Sequence, residues 1–331
     1  RSGLEQALER GLVEMAAIDA AVTRILREKL RQGVFEHPYI DEHTIMLSSD
    51  ASHALAVEAA EKSMVLLKND GMLPLQNCRT IAVIGPLADH PYAMYGGYAP
   101  PVHLQGAHGP HETVPERAMS IRTAIEQLAP QADVAYEPGC LLFEGPFERS
   151  FFFPGDVHED DKQAKKELST DTGYIVRAVA AARNADAVVL VVGDLAGLFQ
   201  QGTVGEGSDA DTLRLPGVQE QLMEAVLATG TPVAVVLVSG RPYTVAAAVE
   251  QAAAIVAAWL PGEGGGEAIA RILFGLANPS GKTCLSFPID VGAMPYAYNH
   301  FQKAGGLPKQ TSFGSVRSEE RRVGKECRSR W

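Results

Sequence analysis

The chain has 331 residues, 46% hydrophobic and 21% charged, and a formal net charge of -11. That length and composition suit one large globular domain or two ordinary ones. The acidic balance excludes a basic nucleic-acid-binding face, and no run of about 18 apolar residues is present to form a membrane-spanning helix.

The first 35 residues read as helical. Ile18, Val22, Ile25, Leu26 and Leu30 recur at helical spacing between basic residues, and Gly33 is the stop signal. A short extended piece, Val34 to Ile40, leads to a second helix spanning about Ser49 to Leu67, closed by the turn residues Asp70, Gly71 and Pro74. The chain's opening residues, Arg1-Ser-Gly-Leu-Glu-Gln, carry no charged-then-apolar leader pattern, so the compartment stays open.

From residue 80 strand and helix alternate. Strands are expected at Thr80–Gly85, Ala132–Glu137, Ala187–Val192, Pro232–Ser239 and Ala253–Leu260, with Trp259 in the core of the last. Helices are expected at Ile121–Leu128, Ile175–Asn184, Val218–Ala228, Thr244–Gln251 and Gly266–Phe274. The continuous apolar runs at 187–192 and 232–239 are those of strands buried on both faces. The pattern is that of an α/β fold, a mostly parallel sheet flanked by helices. Two long segments, 86–120 and 139–172, interrupt the rhythm, and loops of that length are often functional.

Cys78, Cys140, Cys284 and Cys327 contain no CxxC pair and read as isolated thiols. His90, His103, His108 and His111 fall in one loop at irregular spacing, with no metal pattern. The final fifteen residues, Arg317 to Trp331, hold six basic and three acidic residues. Their composition departs from the rest and resembles a vector-derived or misassembled end, so 317–331 are set aside as a non-native tail.

One carboxylate draws attention. Glu206 lies between Gly205 and Gly207 on a loop after the apolar strand 187–192, at the end of a strand where open α/β sheets place their ligands. Asp194 ends the same strand and is the second-choice carboxylate. Asp209 and Asp211 read as capping or loop-ordering residues. Tyr95 and Tyr98 flank a Gly-Gly pair and offer rings on which a sugar could stack. The run Gly262-Glu-Gly-Gly-Gly266 lacks the spacing of a phosphate loop, and its neighbours Glu263 and Glu267 would repel an anion, so close packing of strand on helix accounts for it.

Several segments in order resemble glycoside hydrolase family 3, the β-glucosidase and β-xylosidase group. Ile25 to Tyr39 is similar to the end of the family's first domain, Ser63 to Leu75 to the entry of its second, and Ile81 to Pro86 to the first sandwich strand. Pro261 to Ala270, Asn278 to Gly281 and Phe287-Pro288 are similar to the segments that close the sandwich. The resemblance implies five pieces. Residues 1–40 are a helical remnant of a TIM-like barrel, 41–78 a linker and entry helix, 79–300 the α/β sandwich, 301–316 a truncated continuation and 317–331 the tail.

It further implies a retaining, exo-acting β-glycosidase, β-glucosidase in type, that takes a small β-glycoside or oligosaccharide. Such an enzyme needs no cofactor or metal, no nucleic acid and no membrane. Glycoside cleavage uses two carboxyl groups, one to protonate the leaving oxygen and one to attack the anomeric carbon. In the family the sandwich supplies the general acid/base and the barrel the Asp nucleophile. Glu206 matches the acid/base, Asp209 a weaker sugar-contact position, and Ala210 stands where many relatives carry Arg. Lys282 to Phe287 is an unusual closing strand, and the barrel has no counterpart here, so this chain alone is expected to be inactive. The rival expectation is a carbohydrate-binding or partner-docking α/β domain without chemistry of its own.

Overall fold

The computed structural model describes residues 2–46, 49–103, 117–145, 167–197, 201–288 and 291. They fall into two compact units, Arg1–Ser49 and Asp50–Trp331. The tail at 317–331, the piece at 301–316, His108, His111 and Cys327 lie outside the described residues.

The first unit holds helix α1 (Ser2–Glu9), helix α2 (Met15–Arg31) and a single 3-10 turn at Glu42–Thr44, capped by the Asp41 carboxylate on the His43 N–H. Helix α2 ends at Arg31, ahead of Gly33 as its sequence predicts, and none of its residues is buried.

The second unit is built on one six-stranded sheet. In chain order its elements are α3 (Asp50–Ser63), β1 (Val65–Asn69), β2 (Thr80–Ile84), α4 (Pro100–His103), α5 (Ile121–Leu128) and β3 (Asp133–Glu137). They continue with α6 (Ile175–Arg183), β4 (Ala187–Gly193), α7 (Gln219–Leu227), β5 (Val233–Val238), α8 (Ala246–Gln251), β6 (Ala254–Ala257) and α9 (Gly265–Leu273). The spatial order is β1-β6-β5-β4-β2-β3. β1 runs antiparallel to β6, and all other pairs are parallel.

The sheet therefore begins earlier than the sequence implies. Val65 to Leu67 are strand, not the last turn of the preceding helix. Their apolar character fits either element, and pairing with β6 through Val65 to Ala257 and Leu66 to Val256 settles it.

Alternation along each strand divides the core in two. Ile81, Val83, Val189 and Val191 face a cluster with Val57 of α3, Ile121 and Ile125 of α5, and Ile269 and Ile272 of α9. Ala82, Ile84, Val188, Leu190 and Val192 face the other, with Ala178 of α6, Leu222 and Met223 of α7, and Ala248 of α8. Helices thus cover both faces, which is why β4 and β5 are buried at every position. Ser120 starts α5 by accepting the Thr123 N–H at 3.1 Å. Among the described residues no helix is long and apolar enough to cross a membrane.

Connectivity fixes where a ligand can sit. From β2 the chain steps outward to the edge strand β3, then returns to place β4 on the other side of β2 and continues through β5 to β6. The order reverses between β2 and β4, and it is at such a switch point, outside the carboxyl ends of the strands, that open α/β sheets place a ligand crevice.

Candidate functional site

The two loops that flank this crevice carry the candidate residues. The loop after β2 holds Tyr95 and Tyr98, and the loop after β4 holds Asp194 and Glu206. Tyr98 donates its phenolic hydrogen to Oε2 of Glu206 across 108 positions of sequence. Both side chains are exposed. The bond to the carboxylate raises the Tyr98 pKa above its ordinary value, because it favours the neutral phenol.

Glu206 occupies the tip of a tight turn closed by the Ser208 N–H on the Gly205 carbonyl, 3.0 Å. Gly205 has φ 117°, and a Cβ there would stand 2.1 Å from the Gly197 carbonyl oxygen. A side chain at 205 is excluded by both backbone conformation and contact. Behind the turn the loop is zipped at its stem. Thr203 N–H meets Leu195 O at 2.8 Å, Gly197 N–H meets Val204 O at 2.9 Å, and Leu195 N–H meets Thr203 Oγ1 at 3.0 Å.

Asp194 is placed quite differently from Glu206. It is fully buried, receives the Tyr243 hydroxyl, the Thr203 hydroxyl at 2.8 Å and the Gly240 N–H at 3.1 Å, and lies 3.7 Å from Nη1 of Arg241. A carboxylate with its lone pairs so occupied is an internal anchor rather than a proton donor to a ligand. Burial, followed by the negative Asp194, pushes the Tyr243 phenol far above its usual range. The start of the loop is also held. The Gln219 side-chain amide is buried, accepts the Gly193 N–H and donates to the Gly193 carbonyl, both at 2.9 Å.

The remaining candidates disperse. Tyr95 is 5% exposed, and its hydroxyl has no hydrogen-bond partner among the described residues, so its ring serves the core beneath the loop instead of the loop surface. Asp209 and Asp211 are exposed, and neither caps a helix, since α7 begins after Val218 without a side-chain cap. Trp259 is not inside a strand. It lies past the end of β6 with φ 58°, half-buried, its ring 5.8 Å from Phe287. The Gly264 to Gly266 run packs helix on helix and loop more than strand on helix. A Cβ on Gly264 would meet the Val57 N at 2.6 Å, and one on Gly266 the Met119 carbonyl oxygen at 2.1 Å. Glu263 and Glu267 flank His53 at 3.0 and 3.4 Å. No group of three His, Cys, Asp or Glu among the described residues could hold a metal ion.

Sequence reading passed over Arg241, Tyr243, Thr203 and Gln219. Arg241 and Tyr243 had a usable signal, since they follow directly on a wholly apolar strand at its ligand-facing end. Thr203 and Gln219 had none.

Comparison with known proteins agrees with this architecture. Residues 64–320 match the model of the glycosyl hydrolase family 3 C-terminal domain. A beta-xylosidase of Formosa agariphila is 35% identical over 86% of this chain and 35% of its own length. The periplasmic beta-glucosidase of Salmonella typhimurium is 34% identical over 88% of this chain and 37% of its own length. Among solved structures, a beta-glucosidase involved in saponin metabolism from intestinal bacteria superposes with a TM-score of 0.75 at 32% identity, over 92% of this chain and 42% of that one. The chain thus spans about a third of the length of these curated relatives.

Proposed function

This chain belongs to glycoside hydrolase family 3, whose C-terminal α/β sandwich it carries, and on that premise we propose that it supplies the general acid/base of a retaining β-glycosidase, with Glu206 as that group. The observation that carries this reading is the position of Glu206 at the tip of a braced turn on the switch-point crevice, with Tyr98 bonded to it from the facing loop.

The chemistry follows from that placement. Glu206 in its acid form gives a proton to the glycosidic oxygen as the bond to the anomeric carbon breaks, and a second carboxylate attacks that carbon. The resulting carboxylate of Glu206 then takes a proton from water, which releases the sugar. Tyr98, whose hydroxyl already addresses Oε2, orients the carboxyl group and leaves its other oxygen for the substrate. In a retaining enzyme the two carboxyls stand about 5 to 5.5 Å apart. The second comes from the family's barrel domain, and residues 1–40 are read as the end of that domain. Asp209, exposed near the turn, is a sugar contact in this reading. The substrate is a small β-glycoside or oligosaccharide, and no cofactor takes part.

The test joins this domain to a barrel domain of the family and compares Glu206 with Glu206→Gln. Loss of a general acid lowers kcat/KM by about 10²- to 10⁴-fold, and azide restores turnover of an aryl glycoside by replacing water as the nucleophile. Unchanged turnover in Glu206→Gln removes Glu206 from the chemistry and leaves the domain a binding role. The unjoined chain is expected to show no turnover of an aryl β-glucoside.

A further inference from the structure

Arg241 stands at the carboxyl end of β5, outside both loops of the crevice, yet it is the residue that grips the Glu206 turn. Nη1 donates to the Thr203 carbonyl and Nη2 to the Ser208 carbonyl, each at 2.6 Å. These two carbonyls bracket residues 204 to 207, so one guanidinium closes both ends of the turn whose tip is Glu206. The guanidinium is itself held, with Nη1 3.3 Å from the Tyr243 hydroxyl and 3.7 Å from Oδ1 of the buried Asp194. Thr203 is held a second time through its hydroxyl on the same Asp194 oxygen. The side chain of Arg241 is only 17% exposed, so these contacts are largely shielded from water.

We propose that Arg241 is a positioning residue for Glu206, a two-pronged clamp seated on Asp194 and Tyr243 that fixes the turn presenting the carboxyl group. This rests on the acid/base reading of Glu206 above. The planar fork of arginine reaches two carbonyl oxygens at once, whereas the ammonium of lysine is a point charge on a flexible stem and cannot reproduce both bonds in the same geometry. Glycines at 205 and 207, with φ 117° and 74°, leave the tip little stiffness of its own, and the two Arg241 bonds add to the Ser208–Gly205 closure and the stem pairs.

Amide hydrogen exchange on this chain tests the clamp. In Arg241→Met, exchange at residues 203–208 is expected to accelerate about tenfold or more, the size set by two bonds from a charged donor, while β4 and β5 keep their protection. Arg241→Lys gives an intermediate acceleration and keeps the test open should the Met variant fold poorly. Unaltered exchange at 203–208, or an equal rise across the sheet, overturns the proposal. A second readout separates positioning from mere support. In the domain joined to a barrel, Arg241→Met is expected to lower kcat/KM about tenfold more for an alkyl glycoside, whose leaving group needs protonation, than for a dinitrophenyl glycoside, whose leaving group does not. Equal losses on both substrates also overturn it. Glu206→Gln, measured alongside, distinguishes the failures. If that variant keeps full turnover, the acid/base reading has failed. If it is impaired and Arg241→Met shows no leaving-group dependence, only the clamp has.

Discussion

Replacing Tyr243 with Phe removes one oxygen from the anchor beneath the candidate site and nothing else. Tyr243 is 2% exposed, its ring packs with the β5 face of the core, and its hydroxyl donates to Asp194, which is fully buried. The ring shape is kept, so no cavity opens, and the cost is that of a hydrogen bond to a charged acceptor, about 1.5 to 3 kcal/mol. Asp194 retains Thr203, Gly240 and the nearby Arg241, which places the expected value at the lower end, near 2 kcal/mol. For a unit of this size that corresponds to a fall in Tm of about 4 to 8 °C. Urea unfolding followed by far-UV circular dichroism would measure it.

The pH dependence adds a signed check. The folded-state pKa of Tyr243 is raised above its ordinary value of 10.0. The stability contributed by the neutral phenol is therefore fully present below that value and is lost as pH rises and the unfolded chain ionises. The gap between the two proteins is expected to be constant from pH 6 to 9 and to narrow above about pH 10. A gap below about 0.5 kcal/mol at pH 7 would mean that the Asp194 pocket is not sustained by its buried donors, and the reasoning would fall.

Three more outcomes follow from the same contacts. Gly266→Ala gains at most about 1 kcal/mol of helix propensity but forces a Cβ to within 2.1 Å of the Met119 carbonyl, a clash costing about 1 to 3 kcal/mol or more, so a net loss of up to about 2 kcal/mol is expected in urea unfolding. Asp186 accepts the Arg79 and Thr80 N–H groups at 2.8 and 3.0 Å, which lowers its pKa. Asp186→Ala should reduce Tm at pH 7, and the difference from the parent should shrink as pH falls through the carboxylate range, since a depressed pKa contributes only while the group is ionised. Burial pushes the Cys140 thiol up to about 12, whereas Cys284 is exposed. Peptide mapping after brief alkylation at pH 8 should find Cys284 modified and Cys140 intact, and labelling of both at similar rates would contradict the burial.

Much of the fold could be read from residue order because its signals are local. The unbroken apolar runs of β4 and β5 mark strands covered on both faces, and the alternation of such runs with amphipathic segments marks a parallel sheet with helices on either side. The place of Glu206 could be read as well, since the loop that follows a buried strand stands at the ligand-facing end of the sheet, while its acid/base role rests on the family resemblance and is the proposal made above. Other features depend on partners far away in sequence. Val65 to Leu67 belong to a strand only because β6 offers an edge to pair with. Tyr95 and Tyr98, three residues apart and alike in type, divide into a core ring and a hydroxyl on Glu206 because one packs against the buried cluster and the other meets the loop after β4. Asp194 and Glu206 are both loop carboxylates in sequence, and only burial among Tyr243, Thr203 and Arg241 makes one an anchor and leaves the other exposed at the tip. Periodicity and composition specify most of the elements, because those depend on each segment's own backbone and apolar face, whereas ends such as Ser63 of α3 and Ala257 of β6 are set by pairing and packing. Which groups meet across the reversal between β2 and β4 is decided by the packing of the whole sheet.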